Sequence, residues 1–467
     1  MIPLPQDSPP VPADGKPFVW GQDQTWSFLQ ERFEQARLEG CDAVRPQTRD
    51  KLMRVERLLD EIAARPLPPG AQLFGWLENE FFNLSALLAA CPDELPRYLS
   101  LQSEIRSLIK KQSRAWDLST PSARSQLYRL LYGCRTALEE VLLQDFDLNY
   151  PALLQVSPEA SATPSARILG LTIHSGDLLV SRGGAPTSAL IARGSDFPGN
   201  FSHVALVYID PDTSIASIME AHIERGVTIS SLKEYLMDRK LRVLVLRPRA
   251  DLPVLLADPM APHMAAQIAL ADADARHIPY DFAMDFNDSD RLFCSEVASY
   301  AYREVGIELW MGRSTISSPG LVRWLHAFGV THFETQIPSD LEYDPQLSIV
   351  AEWRDTDSLW QDHLDNAVLD AMLERAEAGE ELSYSPWLLP IGRIAWAVSR
   401  LLNQMGYVGP VPEGMSVPAV LKNRAFSNRQ VQARKRLDEL AEAYRQKHGF
   451  VPPYWVLVEL AREVLKD

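Results

Sequence analysis

The chain has 467 residues, 46% hydrophobic and 23% charged: an ordinary soluble composition, and too long for one ordinary core. Its formal net charge of −16 works against non-specific binding to nucleic acid or an anionic bilayer, and no apolar run reaches spanning length. Four cysteines (Cys41, Cys91, Cys134, Cys294) lie far apart with no CxxC pair. That spacing argues against a zinc ribbon or a secreted disulfide framework and fits a reducing compartment. The opening MIPLPQDSPPVPADGKP has no basic patch followed by an apolar run, so a cytoplasmic location is expected.

Residues 1–20 are Pro-rich and read as an extended arm, followed by a helical domain over 21–155. Within it, Leu52, Val55, Leu58, Leu59 and Ile62 mark one buried stripe. Thr120-Pro121 opens a further helix as cap and first-turn proline, running on through Leu127, Leu130, Leu131, Ala137 and Val141. Trp76, Phe81 and Phe82 are expected in its core. Residues 156–166 form a linker rich in Pro, Ser and Ala.

The pattern then changes. Asp177–Val180 after Ser175-Gly176, Val204–Tyr208, Ile215–Ala221 and Val243–Leu246 read as short strands between turns. Helices follow around Pro262–Arg276 and Cys294–Val305. This order predicts an α+β domain on an antiparallel sheet over 167–350. Residues 351–467 return to helix: Asp362–Ala378, Leu388–Met405, Asn428–His448 and Pro453–Lys466. The apolar Leu388–Met405 helix reads as core, with an acyl-tunnel lining as the alternative. The Arg434-Lys435-Arg436 cluster reads as a solvated face.

Chemistry concentrates at RLFCSEVASYAYREVG, where Cys294 stands in the first turn of a helix with Val297, Ala298, Ala301, Tyr302 and Val305 on one face. A thiol there lies beside unpaired backbone N–H groups and the positive end of the helix dipole. His203 heads one face of the second strand, and Glu220 lies within the apolar third, where a carboxylate needs a partner. A hairpin return would place Glu220 beside His203. Thiol, imidazole and carboxylate then form a set for nucleophilic catalysis: Cys294 attacks, His203 takes its proton, Glu220 orients the ring. His222, two residues on and on the same strand face, is the other candidate to orient the ring.

The series HSGDLLV, FSHVALV, SIMEAHIERGVTISSL, HIPYDF, RLFCSEVASYAY and IPSDLEYDP resembles the circularly permuted papain-like cysteine hydrolases of the NlpC superfamily, the YiiX/YebB-like group. The resemblance covers about residues 167–350. It implies a permuted papain-like domain flanked by helical regions, with His before Cys in the chain and His203, Glu220 and Cys294 as catalytic residues. It also implies Asp177 and Tyr280 as site-wall or structural positions. Ser202 and Ser295, which flank the base and nucleophile, and His222 are further expected at the substrate side or site wall. The implied substrate is a peptide or cell-wall amide, or a lipid acyl group; no metal or other cofactor is called for. Lecithin–retinol acyltransferases, which are similar in their permuted domain, carry Asn-Cys-Glu-His at the nucleophile, whereas here the run is Phe293-Cys294-Ser295-Glu296. Two other classes compete: a silent papain-like module in a helical interaction protein, with a protein partner for the flanks, and a metal site of His203, His222 and Cys294. An intact Cys, His and Glu set speaks against the first, and the lack of paired-ligand spacing against the second.

Overall fold

The computed structural model describes residues 24–144, 150–404 and 407–466, so the expected arm at 1–20 lies outside the described residues. The chain divides into two compact units. One holds the residues up to Ala152 with Asp355–Trp360 and Leu440–Leu457; the other holds Leu153–Arg354, Gln361–Glu439 and the chain from Val458 on.

The first unit is built on α1 (Gln24–Glu39), α2 (Cys41–Ala63), α3 (Gln72–Ala90), α4 (Leu95–Gln112), α5 (Pro121–Leu127) and α6 (Cys134–Leu143). The Leu52–Ile62 stripe of α2 is buried, as are Phe81 and Phe82, while Trp76 is half-buried. Thr120 caps α5 by accepting the Ala123 N–H at 3.4 Å. One π-helical stretch, Tyr128–Gly133, joins α5 to α6, so the long helix expected here runs on through a widened turn. Cys41 and Cys91 are joined by a disulfide. Wide spacing in the sequence argues against such a bond, but the return of α3 along α2 brings the start of one helix to the end of the other.

In the second unit, β1 (Leu153–Gln155), β2 (Ser165–Ile168), β3 (Leu171–His174) and β4 (Leu178–Gly183) precede α7 (Pro186–Arg193). Then come β5 (His203–Ile209), β6 (Ala216–His222), β7 (Gly226–Ser231), α8 (Leu232–Met237) and β8 (Lys240–Pro248). Helices α9 (Pro253–Ala257), α10 (Ala261–Ala275) and α11 (Cys294–Glu304) follow. After them lie β9 (Ser314–Thr315), α12 (Pro319–Phe328), β10 (Glu334–Thr335) and β11 (Leu347–Arg354). Seven strands make one sheet in the order β1-β11-β8-β4-β5-β6-β7, every neighbouring pair antiparallel. This is an α+β domain built on an antiparallel sheet.

Alternation along the strands splits the core in two. Leu178, Val180, Val204, Leu206, Met219, Leu244 and Leu246 pack with Ala265, Ala266 and Ala269 of α10 and Val297, Ala298, Ala301 and Tyr302 of α11. Their neighbours Leu179, Ala205, Val207, Ile218, Val243 and Val245 pack on the other face with Ile168, Leu171 and Ile173 of the β2–β3 hairpin and Tyr235 of α8.

The C-terminal helices are α13 (Thr356–Glu377), α14 (Leu388–Gln404), α15 (Val417–His448) and α16 (Tyr454–Val464). Acidic residues of α13 hold cations of the sheet layer. Buried Asp362 accepts from Arg242 at 2.8 Å and Asn200 at 3.0 Å, and Asp370 takes both Nε and Nη2 of Arg193. Two readings of this region need correction. Arg434 is not simply solvated, since it pairs with Asp365 at 3.2 Å, leaving Lys435 and Arg436 exposed. Helix α14 is not core, because its apolar stripe faces outward.

Candidate active site

The antiparallel β5–β6 pair sets Ala205 opposite Glu220, which brings Glu220 within reach of His203 at the head of β5. His203 Nε2 lies 2.8 Å from Glu220 Oε2. Glu220 is 2% exposed, and burial of an ion demands partners. It has three: His203, His222 Nε2 at 3.2 Å from Oε1, and the Ser230 hydroxyl, which donates to Oε1 at 2.8 Å. Thr228 of β7 pairs with Glu220, and Ser230, two residues further on, shares the same sheet face.

Cys294 is the first residue of α11 and is nearly buried. The packing of Val297, Ala298 and Ala301 against Val204 and Leu206 fixes the helix start beside the start of β5. The thiol reaches toward the Ser202 carbonyl at 3.9 Å, which sets it next to His203, whose ring it makes more basic. The Phe293 N–H donates to the Glu296 carboxyl at 2.8 Å, and the Glu296 N–H donates to the Phe293 carbonyl at 3.0 Å. First-turn amides have no intrahelical acceptor, so donors converge where Cys294 stands.

The electrostatics follow from these contacts. Burial alone would lower the His203 pKa, but hydrogen bonds to Cys294 and Glu220, and their charges, raise it to about 9. Burial alone would raise Glu220, but its bonds to His203 and His222 hold it well below the usual carboxylate range. Glu220 is therefore an acceptor only, so His203 donates from Nε2 and turns Nδ1 toward the thiol. Glu296 is pushed up to about 9, chiefly by burial, with Asp281 and Cys294 adding to it. A neutral Glu296 leaves no second negative charge next to the sulfur.

The remaining sequence-named residues fall into two groups. Near the thiol, Ser202 offers its backbone carbonyl, while its hydroxyl bonds to Ser188. Tyr280, packed on Phe282 with ring centroids 5.1 Å apart, is raised well above the usual phenol value by burial and then by Cys294. Its loop is held by Gly226, at φ 73°, whose amide neighbour Val227 donates to the Ile278 carbonyl at 2.9 Å. A Cβ on Gly226 would come within 2.1 Å of that same oxygen. His222 stacks on His203 with centroids 5.7 Å apart, so Glu220 lies between two imidazoles rather than His222 replacing it.

Asp177 and Ser295 do not line the site. Asp177 is buried against Arg247, taking two bonds of 2.7 Å and capping the β3–β4 turn through the His174 N–H. It lies beyond the end of β4 remote from Ser181, the partner of His203. Ser295 points into the core, its hydroxyl without a partner among the described residues. Sequence reasoning missed Ser230, though the polar alternation Thr228, Ser230 along β7 could have marked it. Among the described residues, no group of three or more His, Cys, Asp or Glu could hold a metal ion.

A thiol at a helix start, a histidine heading a neighbouring strand and a buried carboxylate behind it, in the chain order His, Glu, Cys, belong to the permuted papain-like class. Residues 172–351, under half of the chain, match the model of the family described as "Permuted papain-like amidase enzyme, YaeF/YiiX, C92 family". Over that segment the chain is similar to this family, and the match supports a papain-like cysteine hydrolase of the amidase kind. It is similar to the crystal structure of metalloprotein yiiX from Escherichia coli O157:H7, at 20% identity over 38% of this chain and 95% of that one, with a TM-score of 0.30. No curated protein matches the chain.

Proposed function

We propose that the enzyme cleaves an amide of a carboxylic acid through an acyl-enzyme on Cys294. Cys294 Sγ attacks the carbonyl carbon, and the resulting oxyanion is met by backbone N–H groups at the start of α11, that of Cys294 among them. His203 delivers its proton to the leaving amine as the C–N bond breaks. Water then attacks the thioester while His203 accepts its proton, releasing the acid and the free thiol. Glu220 holds the ring through Nε2 and stabilises its charge; Ser230 and His222 fix the carboxylate in turn.

The observation that carries this reading is the position of one imidazole between Cys294 and a buried, ionised Glu220. The substrate is either a peptide amide, a cell-wall peptide included, or a fatty N-acyl amide; both present the same carbonyl to the thiol. Incubating wild type and Cys294→Ala with both pools and following each by mass spectrometry tests it. Loss of one pool with wild type alone supports the proposal. Turnover by the Cys294→Ala protein at the wild-type rate sinks it.

A further inference from the structure

Helix α14 is turned inside out. Leu388, Ile391, Ile394, Val398 and Leu401 recur at three- and four-residue steps and form one stripe. That stripe faces solvent, with Ile391 64%, Ile394 67% and Leu401 58% exposed, and Trp387 just before it is 86% exposed. The side toward the protein is small and polar. A Cβ on Gly392 would come within 2.5 Å of Val417, and buried Ser399 accepts the Val411 N–H at 2.8 Å while Gly409 packs against it. A surface helix normally buries its apolar stripe, and a continuous exposed one marks an interaction surface.

Three features decide what covers it. The only charged residues of α14 are Arg393 and Arg400, both exposed, so the helix is locally cationic on a chain of net charge −16. Aromatic rings flank the stripe, Trp387 before the helix and Tyr407, 67% exposed, after it, with Arg400 stacked over Trp396 at 5.0 Å. One flank of the stripe (Arg393, Ala397 and Arg400) is exposed as well, so the helix stands up as a ridge. A ridge with an apolar crest, aromatic ends and one arginine flank suits the boundary between headgroups and acyl chains. With 17 residues it is shorter than a spanning helix, and no described helix is long and apolar enough to cross a membrane, so it would lie in the plane.

We propose that α14 docks the enzyme on an anionic lipid surface, its stripe among the acyl chains and its two arginines at the phosphates. The overall negative charge does not prevent this, because at physiological ionic strength charges beyond about 8 Å are largely screened. The docking is independent of the roles of Cys294, His203 and Glu220.

Co-sedimentation with vesicles of phosphatidylethanolamine containing a minority of phosphatidylglycerol tests it, with circular dichroism confirming that each variant is folded. Wild type should pellet with the vesicles. The double variant Ile391→Glu and Ile394→Glu, altered only at exposed positions, should stay in the supernatant. Arg393→Glu with Arg400→Glu should weaken binding by well over tenfold, since each lost arginine is worth about fivefold near an anionic surface. Three results overturn the proposal: wild type that does not pellet, stripe variants that pellet like wild type, or a stripe that instead holds two copies of the chain together, seen as a dimer that the Ile→Glu variants dissociate without any vesicle binding.

Discussion

His203 and Glu220 meet across the β5–β6 pair at 2.8 Å, the ring donating from Nε2 to a carboxylate that is itself pinned from its other oxygen by Ser230 and His222. Several consequences of that arrangement can be measured.

Removing the imidazole and removing the carboxylate's charge should not be equivalent. His203→Ala should lose nearly as much kcat/KM as Cys294→Ala, because proton acceptor and donor are the same ring. Glu220→Gln keeps a hydrogen-bond acceptor for Nε2 but not the charge, and a loss on the order of a hundredfold is expected. Equal losses for the two would mean that Glu220 does more than orient the ring.

Ser230 and His222 both bond Glu220, and His222 also stacks on the His203 ring, which makes them supporting residues in the proposed mechanism. Substituting either with Ala should cost roughly three- to tenfold in kcat/KM, the scale of one supporting hydrogen bond. A His222→Ala change that matches His203→Ala in severity would assign the base to the wrong histidine.

The pH profile should show the raised His203. Its pKa of about 9 lies above the ordinary 6.5, so the protonated ring persists through neutral pH and is lost as pH rises through about 9. The stabilising pairing of that ring is likewise complete below about pH 6.5 and disappears across the same window. A basic limb of kcat/KM near pH 9 is expected, moving to lower pH in Glu220→Gln, which removes one of the influences that raise the ring. A limb that stays put in that variant would show that the carboxylate does not set it.

Alkylation should distinguish the cysteines. Cys41 and Cys91 are bonded to each other, and burial, with the charge of Glu78 adding, pushes the Cys134 thiol well up. Iodoacetamide should therefore label Cys294 first, and more slowly in His203→Ala. Peptide mapping that finds Cys134 labelled ahead of it would contradict this.

Stability should depend on Asp362, which lies outside the segment matched by the family model. It is fully buried, and without it Arg242 loses an ion partner. Asp362→Ala should destabilise by about 3–5 kcal/mol, the usual consequence of stranding one partner of a buried pair, seen as a lower urea midpoint. An unchanged midpoint would mean that the sheet does not need α13.

Much of the fold was legible because its signals are local. Strand alternation from Leu178 to Leu246 and the helical spacing after Cys294 both reflect packing on a single face. Glu220 beside His203 was legible for the same reason, since an ion in an apolar strand must find a partner. What stayed hidden depends on distant parts of the chain. Asp177 looks like a site residue until Arg247, seventy residues on, is seen to hold it. The Cys41–Cys91 bond needs the return of α3, and Ser230 needs the β6–β7 register. Helix α14 misled because an apolar stripe predicts that something is covered without saying that the protein itself covers it.

The central claim is that Cys294 carries the acyl group. Wild type mixed with an activated ester or anilide, quenched in acid within the first turnover and mapped by mass spectrometry, should show the acyl mass on the peptide containing Cys294 and on no other. The adduct should be absent from Cys294→Ala and should build up to a lesser extent in His203→Ala. An adduct on a different residue, or turnover with no adduct while product forms in a burst, would contradict the account.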